Sequence, residues 1–216
     1  MKKTHHQTLG EEIANAVSHG VMALFGVAAL VLLLLKSDMS NEYVASMFFG
    51  VGIINLYTMS TLYHALANKT AKSVFRRFDH LSIYILIGAS FVPPLLLLPD
   101  LQKPLIGSLS QGWFMFIIQW LLIVIGIVFK SIWIKKFSWL HSTIFLAMGW
   151  SGLIFIRQLI AWQIGAFWLV LAGGVSYSIG VMFYAFPKVK YFHFIWHLFV
   201  GMGTLLQFIA YYVYLY

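Results

Sequence analysis

Three histidines of this sequence have the type and spacing expected of metal ligands. His193 and His197 are four residues apart, so in a helix they lie one turn apart on the same face. His64 lies in another apolar segment, at what we expect to be a matching depth. Three imidazoles and a water are typical of an open, catalytic zinc site. The sequence therefore predicts a Zn²⁺ site at His64, His193 and His197. Other divalent ions suit similar ligands, and interfacial or interhelical histidines are the alternative interpretation.

Two other side chains have the chemistry to act on a water or substrate at such a site. Asp79 would either orient a ligand imidazole or accept a proton from the water; its alternative partner is Arg76 or Arg77. Ser60 precedes His64 by four residues and would donate a hydrogen bond to an oxyanion or to the water, although serine is also common at helix contacts in membranes. We predict Asp79 and Ser60 as the catalytic residues.

A third group of polar residues forms a stripe near the start of the chain. Glu12, Asn15 and His19 have the i, i+3, i+7 spacing of one helical face. They are predicted to lie within about two turns of the same membrane face as the residues above, on a different apolar segment. Ionisable groups inside a membrane are costly, so we predict a supporting polar network. The alternative for Glu12 is a first-turn residue stabilised by the helix dipole.

The composition sets the environment in which these residues must be positioned. The 216 residues are 61% hydrophobic and 9% charged, with a mean hydropathy of +0.87. Soluble domains are about 45–50% apolar and roughly 25% charged, so a water-soluble fold and a disordered chain are both excluded. The chain has no cysteine, which excludes a disulfide framework, a thiolate metal site and a thiol nucleophile.

Seven segments are long and apolar enough to cross a bilayer as helices, which takes roughly 20 residues each. The predicted spans are 14–35, 43–67, 80–98, 112–129, 138–156, 165–186 and 192–215. The Pro93-Pro94 pair must end or kink the third of them. The spans use most of the chain, so we predict one all-α domain over residues 1–216, a seven-transmembrane helix bundle in the cell membrane.

The basic residues predict how this bundle is oriented. Eleven of the 14 Lys and Arg lie on the side of the N-terminus: Lys2, Lys3, Lys69, Lys72, Arg76, Arg77, Lys130, Lys135, Lys136, Lys188 and Lys190. The positive-inside rule then places the N-terminus in the cytoplasm and the C-terminus outside it, with anionic lipid head groups against the basic segments. A nucleic-acid partner would require these residues on one folded surface among exposed aromatics, so none is expected.

The motifs together resemble a known family. They are E-x-x-N-x-x-x-H at 12–19, S-x-x-x-H at 60–64, Asp79, and H-x-x-x-H at 193–197. In this order, on the first, second, third and seventh predicted spans, they resemble the hemolysin III family of the progestin and adipoQ receptor superfamily. The resemblance covers essentially the whole chain. It implies a seven-helix bundle with a cytoplasmic N-terminus, zinc at His64, His193 and His197, and Asp79 near the bound water. The superfamily includes alkaline ceramidases, which are lipid-amide hydrolases with a similar residue set.

Three functions are compatible with these residues. We favour a metal-dependent hydrolase that acts on a membrane lipid ester or amide, because zinc activates water for attack on a carbonyl at neutral pH. The first alternative is a lipid-sensing or membrane-homeostasis protein with structural zinc. The second is a pore-forming cytolysin, as the family name suggests. A pore needs a polar stripe across the membrane, whereas the predicted polarity is concentrated near one face.

Overall fold

The computed structural model of the protein describes residues 7–132 and 138–216, with the side chains of 138–142 outside the described residues. The helices are α1 (Leu9–Lys36), α2 (Ser40–Ala65), α3 (Lys69–Leu97), α4 (Gln111–Ile132), α5 (Ser138–Trp150), α6 (Ile156–Trp162), α7 (Ile164–Tyr184) and α8 (Phe192–Tyr214). A 3₁₀ turn, Ser151–Phe155, joins α5 to α6. Within this part of the chain, seven helical segments are long and apolar enough to cross a membrane. The predicted all-α, seven-span class is confirmed.

Successive spans run in opposite directions, so the helices have two common ends. The starts of α1, α3, α5 and α8 lie with the ends of α2, α4 and α7, and we call this the N-terminal end of the bundle. The basic residues of α3 and of the α7–α8 connection lie there, whereas Lys2, Lys3, Lys135 and Lys136 fall outside the described residues. The side of the membrane that this end faces stays a prediction.

The third span begins earlier than its hydropathy indicates. Helix α3 starts at Lys69 rather than at residue 80, because the Asn68 side chain caps it by accepting hydrogen bonds from the backbone N–H groups of Thr70 and Ala71. The basic residues assigned to a connection therefore lie on the first turns of a helix. At the other end, α3 passes through Pro93 and Pro94 and stops at Leu97.

The fifth span is interrupted, where a continuous helix over 138–156 was predicted. Helix α5 ends at Trp150, and α6 extends the span to Trp162 after the 3₁₀ turn. Gly152 lies in this turn against α3, where an added Cβ would be only 2.9 Å from the Phe91 ring. Serine and glycine are weak helix formers, so the helix breaks easily at this point. The close packing against Phe91 favours the break, although the apolar composition of the segment indicates one continuous helix.

The connections are short, and at the other end of the bundle one of them forms a small hairpin. Strands β1 (Pro104–Ile106) and β2 (Leu109–Ser110) pair antiparallel, with Gly107 at φ 57° in their turn, a conformation that glycine adopts without steric cost. This hairpin links the 3₁₀ turn Pro99–Gln102 to α4. It lies far from the predicted site.

The helices divide into a buried inner set and an outer set. In the most apolar window of each, 67% of the α3 residues and 56% of the α8 residues are buried, against 11% for α4 and for the fifth span. The largest core cluster joins α1, α2, α3 and α8 through Ala29, Leu33, Phe49, Ile53, Leu56, Tyr57, Leu86, Trp196, Val200, Phe208, Ala210 and Tyr211. These four helices also carry all of the predicted site residues, so the site is built on the helices that share the largest core cluster.

Candidate metal centre

Three imidazole rings converge at the N-terminal end of the bundle. The Nε2 atom of His193 is 3.3 Å from Nε2 of His64 and 3.1 Å from Nε2 of His197. One nitrogen from each ring lies within 4.8 Å of the other two. Zinc–nitrogen bonds of about 2.0–2.1 Å in tetrahedral geometry separate ligand nitrogens by roughly 3.3–3.4 Å. This arrangement, which we call the histidine centre, could therefore hold a metal ion.

The backbone before α8 is shaped to bring His193 and His197 to this point. Tyr191, the residue before the helix, has a φ of 60°, which is uncommon for a residue with a side chain. Its N–H donates to Glu11 Oε1 over 2.9 Å. The other Glu11 oxygen, Oε2, accepts from the Thr8 N–H over 2.8 Å in the capping box of α1. Glu11 thus joins the starts of α1 and α8, and this contact offsets the local backbone strain.

The ring of His64 is oriented by the first helix. Its Nδ1 lies 2.7 Å from Glu12 Oε2, and the other Glu12 oxygen is 2.7 Å from Lys72 Nζ. A hydrogen on Nδ1 that donates to Glu12 leaves Nε2 as a lone-pair donor facing His193 and His197. Metal-ligating histidines ordinarily donate their second nitrogen to a carboxylate or carbonyl in this way, which raises their basicity. Glu12 therefore selects the tautomer that a metal requires.

The ring of His197 is held by two residues of α1. Its Nδ1 lies 3.4 Å from Ser18 Oγ, and Ser18 itself donates to the Asn15 carbonyl over 3.0 Å. On the other side, His19 stacks on His197 with ring centroids 3.5 Å apart and an angle of 10° between the planes. His19 is 1% exposed and meets the Tyr57 ring edge-on at 4.8 Å. The α1 stripe thus contacts two of the three converging rings.

Asp79 and Ser60 lie beside the histidine centre, both buried, at 2% and 0% exposure. The Asp79 carboxylate lies next to the Ser60 hydroxyl and within electrostatic range of His64. The Ser60 Oγ atom nevertheless makes no hydrogen bond of regular geometry with the described residues. No ion pair joins Asp79 to Arg76 or Arg77 in the described part of the chain. A carboxylate and a hydroxyl therefore lie close to the imidazole of His64.

The structure brings together every residue that the sequence singled out, and it adds three. Lys72, which the sequence indicated only as a charge that sets orientation, pairs with Glu12; Ser18 contacts His197; and Glu11 holds Tyr191. Lys72 precedes Asp79 by seven residues, two turns on the same helical face, so a signal for it was present. Ser18 and Glu11 carry no such signal, because each depends on a contact with a helix far along the chain.

An apolar cavity runs through the bundle and begins at His19, which stacks on His197 of the histidine centre. At its head it is lined by His19, Tyr184 and Trp196. The wall then runs along α3, the fifth span, α7 and α8, through apolar residues that include Leu86, Phe91, Phe155, Leu159, Phe167, Val170 and Val200. A long apolar cavity of this kind has the lining expected of a site for an apolar chain.

The fold and this site define a multi-pass membrane protein with seven spanning helices and a histidine cluster able to hold a metal ion. The profile of the family described as "Haemolysin-III related" matches residues 7–208. The chain belongs to the hemolysin III family, within the progestin and adipoQ receptor superfamily, as its motifs predicted.

Curated relatives match over nearly their full length. The chain is 38% identical to "Hemolysin-3 homolog" of Bacillus subtilis (strain 168) over 205 residues, covering 93% of this chain and 92% of that protein. It is 35% identical to "Hemolysin-3" of Bacillus cereus over 206 residues, covering 94% and 90%. It is 27% identical to human "Monocyte to macrophage differentiation factor" over 215 residues, covering 97% and 86%.

Proposed function

We propose that this protein is a zinc-dependent membrane hydrolase that cleaves a lipid ester or amide. One observation carries the proposal: three imidazole nitrogens converge beside a buried carboxylate, and an apolar cavity begins at His19, whose ring stacks on one of the three. We also propose that the protein acts in the cell membrane, with the histidine centre toward the cytoplasm, as the distribution of basic residues predicts.

The donor set supports zinc as the metal. His64, His193 and His197 supply three nitrogens, and the Glu12 carboxylate is engaged with Nδ1 of His64 and with Lys72. Three protein ligands leave a fourth position open, as catalytic zinc sites do. When bound, zinc would activate water and polarise a carbonyl oxygen.

Asp79 and Ser60 supply the proton transfer and the hydrogen bond that hydrolysis requires. Asp79 is the carboxylate beside the centre, so it would accept the proton of the attacking water and return it to the leaving group. The Ser60 hydroxyl has no regular hydrogen bond among the described residues, so it can donate to the oxygen on which negative charge develops. Both residues are buried, which strengthens these interactions by excluding bulk water.

The cavity supports a lipid as the substrate. Its head lies at His19 and Trp196, and the wall beyond them is mostly apolar. An acyl chain inserted there would place its ester or amide carbonyl at the histidine centre, so burial of the chain would position the reacting group.

The test is turnover by purified protein of measured zinc content, with a panel of lipid esters and amides, for the wild type and Asp79→Asn. We expect the variant to keep its zinc and its melting temperature but to lose about 10²- to 10⁴-fold in rate, the usual contribution of a general base. Asp100→Asn is the matched control, because Asp100 is exposed at the opposite end of the bundle, where it pairs with Lys103 over 2.6 Å. A zinc-loaded wild type that hydrolyses none of the panel would contradict the proposal and favour the lipid-sensing alternative.

A further inference from the structure

A second group of polar side chains lies deeper in the bundle, between α2, α7 and α8. The Tyr57 hydroxyl lies 2.7 Å from Thr204 Oγ1, and the Tyr177 hydroxyl lies 2.9 Å from the same atom. The Tyr177 hydroxyl also donates to Gln207 Oε1 over 3.2 Å. We call these four residues the mid-bundle network.

The side-chain amide of Gln207, one member of this network, has a hydrogen-bond partner for only one of its two polar atoms. The carbonyl oxygen of the Gln207 amide accepts from Tyr177, which directs its NH₂ group the other way. That NH₂ group, with two donors, has no hydrogen-bond partner among the described residues. Gln207 is only 8% exposed and lines the apolar cavity. Its stem packs on Gly173, where an added Cβ would lie 3.2 Å from Gln207 Cγ.

The Gln207 NH₂ group lines the cavity and has no partner among the described residues, so it is available to a ligand. Native structures leave few polar groups in such positions without a partner. Away from His19, three hydroxyl groups of the cavity wall are engaged: Ser90 Oγ donates to the Ile87 carbonyl, Ser178 Oγ to the Gly174 carbonyl, and the Tyr211 hydroxyl to the Ser90 carbonyl. The Gln207 NH₂ group is therefore the group in this part of the wall that is ready to bind an acceptor.

The position of Gln207 specifies where that acceptor would lie on a ligand. Gln207 follows His197 on α8 by ten residues, about 15 Å along the helix axis at roughly 1.5 Å per residue. His19, which stacks on His197, and Gln207 both line the cavity, so the cavity spans most of this distance. A lipid with its carbonyl end at the histidine centre would thus present the middle of a long acyl chain to Gln207.

We propose that Gln207 forms a second polar subsite, which selects lipids that carry a hydroxyl or carbonyl oxygen near the middle of the acyl chain. The inference rests on the proposed function only for the placement of the carbonyl end at the histidine centre. The Gln207 NH₂ group donates to the mid-chain oxygen, while Tyr177 holds the amide in the required orientation. Plain acyl chains still enter but leave the amide unsatisfied.

The test compares the binding of two long-chain fatty acids, one plain and one with a mid-chain hydroxyl group, to purified full-length protein. Binding is followed by the fluorescence of the cavity tryptophans Trp150 and Trp196. We expect the wild type to bind the hydroxylated acid about 3- to 10-fold more tightly, the effect of one hydrogen bond. Gln207→Leu should abolish this preference, because leucine is of similar size and has no donor.

Ser90→Ala is the matched control, since it removes a cavity hydroxyl that is already bonded within α3, and it should keep the preference. Tyr177→Phe provides a second variant, in which the Gln207 amide loses its orienting partner and the preference falls. Equal binding of both acids by the wild type, or an unchanged preference in Gln207→Leu, would overturn the inference. The measurement requires no turnover, so a protein that shows the preference but hydrolyses nothing would refute the hydrolase and retain the subsite.

Discussion

The histidine centre and the mid-bundle network are both buried, both polar and both built from helices distant in the chain, yet their hydrogen bonding differs. In the histidine centre, the ring nitrogens of His64, His193 and His197 point at one another. In the mid-bundle network, each hydroxyl has a partner that can accept or donate. A set of converging ring nitrogens could hold a cation, whereas a satisfied network stabilises the packing of the helices that carry it.

The difference shows that buried polarity alone does not identify a site in a membrane protein. Thr204 is fully buried and bonded to two tyrosines and to the Val200 carbonyl, so nothing is left for a ligand. Gln207 belongs to the same network, but its NH₂ group has no partner in the described part of the chain, and together with Tyr177 it lines the cavity. The useful question is which polar atoms remain unsatisfied and what they face.

Among the changes that test this comparison, removal of one of the three predicted metal ligands should have the largest effect. We expect His197→Ala to reduce bound zinc from about one per chain to near zero and to lower the melting temperature, because three-ligand sites rarely survive the loss of one ligand. Elemental analysis of purified protein and a thermal melt measure both.

The control for this change is His80→Ala. His80 directly follows Asp79 on α3 but is not one of the three histidines that converge, so this variant should keep its zinc. Equal zinc retention in the two variants would contradict the ligand assignment.

Replacement of the carboxylate that orients His64 should have an intermediate effect. Glu12→Gln keeps a hydrogen-bond acceptor for His64 Nδ1 but removes the negative charge between His64 and Lys72. Loss of such a partner typically lowers metal affinity by 10- to 100-fold. Competition with a zinc chelator of known affinity measures the change.

Glu42→Gln is the matched control for Glu12→Gln. Glu42 is also an acidic residue in the first turn of a helix, but it caps α2 at the opposite end of the bundle. Its replacement should leave zinc affinity unchanged, and a similar loss in both variants would indicate a general effect on folding.

Removal of the central hydroxyl of the mid-bundle network should have the smallest effect. Thr204→Val deprives the Tyr57 and Tyr177 hydroxyls of a shared partner. Side-chain hydrogen bonds within membranes contribute about 0.6 kcal/mol on average and at most about 1.7 kcal/mol, so we expect the free energy of unfolding to fall by that amount while zinc content stays unchanged. Ser131→Ala, which removes an exposed hydroxyl bonded within α4, should change neither. Zinc loss in Thr204→Val would show that the two clusters are not separate.

The candidate site was largely predictable because its signals are local. The i, i+4 spacing of His193 and His197 specifies a shared helical face whatever the rest of the chain does. The mid-bundle network was missed, and the expectation that polarity is concentrated near one face needs correction. Tyr57 and Tyr177 count as apolar aromatics in a hydropathy reading, and their hydroxyls become significant only where another helix supplies a partner.

The sequence by itself determined that this protein lies in a membrane and how many times the chain crosses it. Apolar runs of bilayer length leave a chain no other stable arrangement. It also determined which residues share a helical face, since that follows from 3.6 residues per turn. Only the tertiary structure decided that Glu12 meets His64, that the fifth span breaks at Gly152, and that Gln207 keeps a free donor in a cavity. These features depend on distances between helices, which side-chain packing sets and the spacing of residues along the chain does not encode.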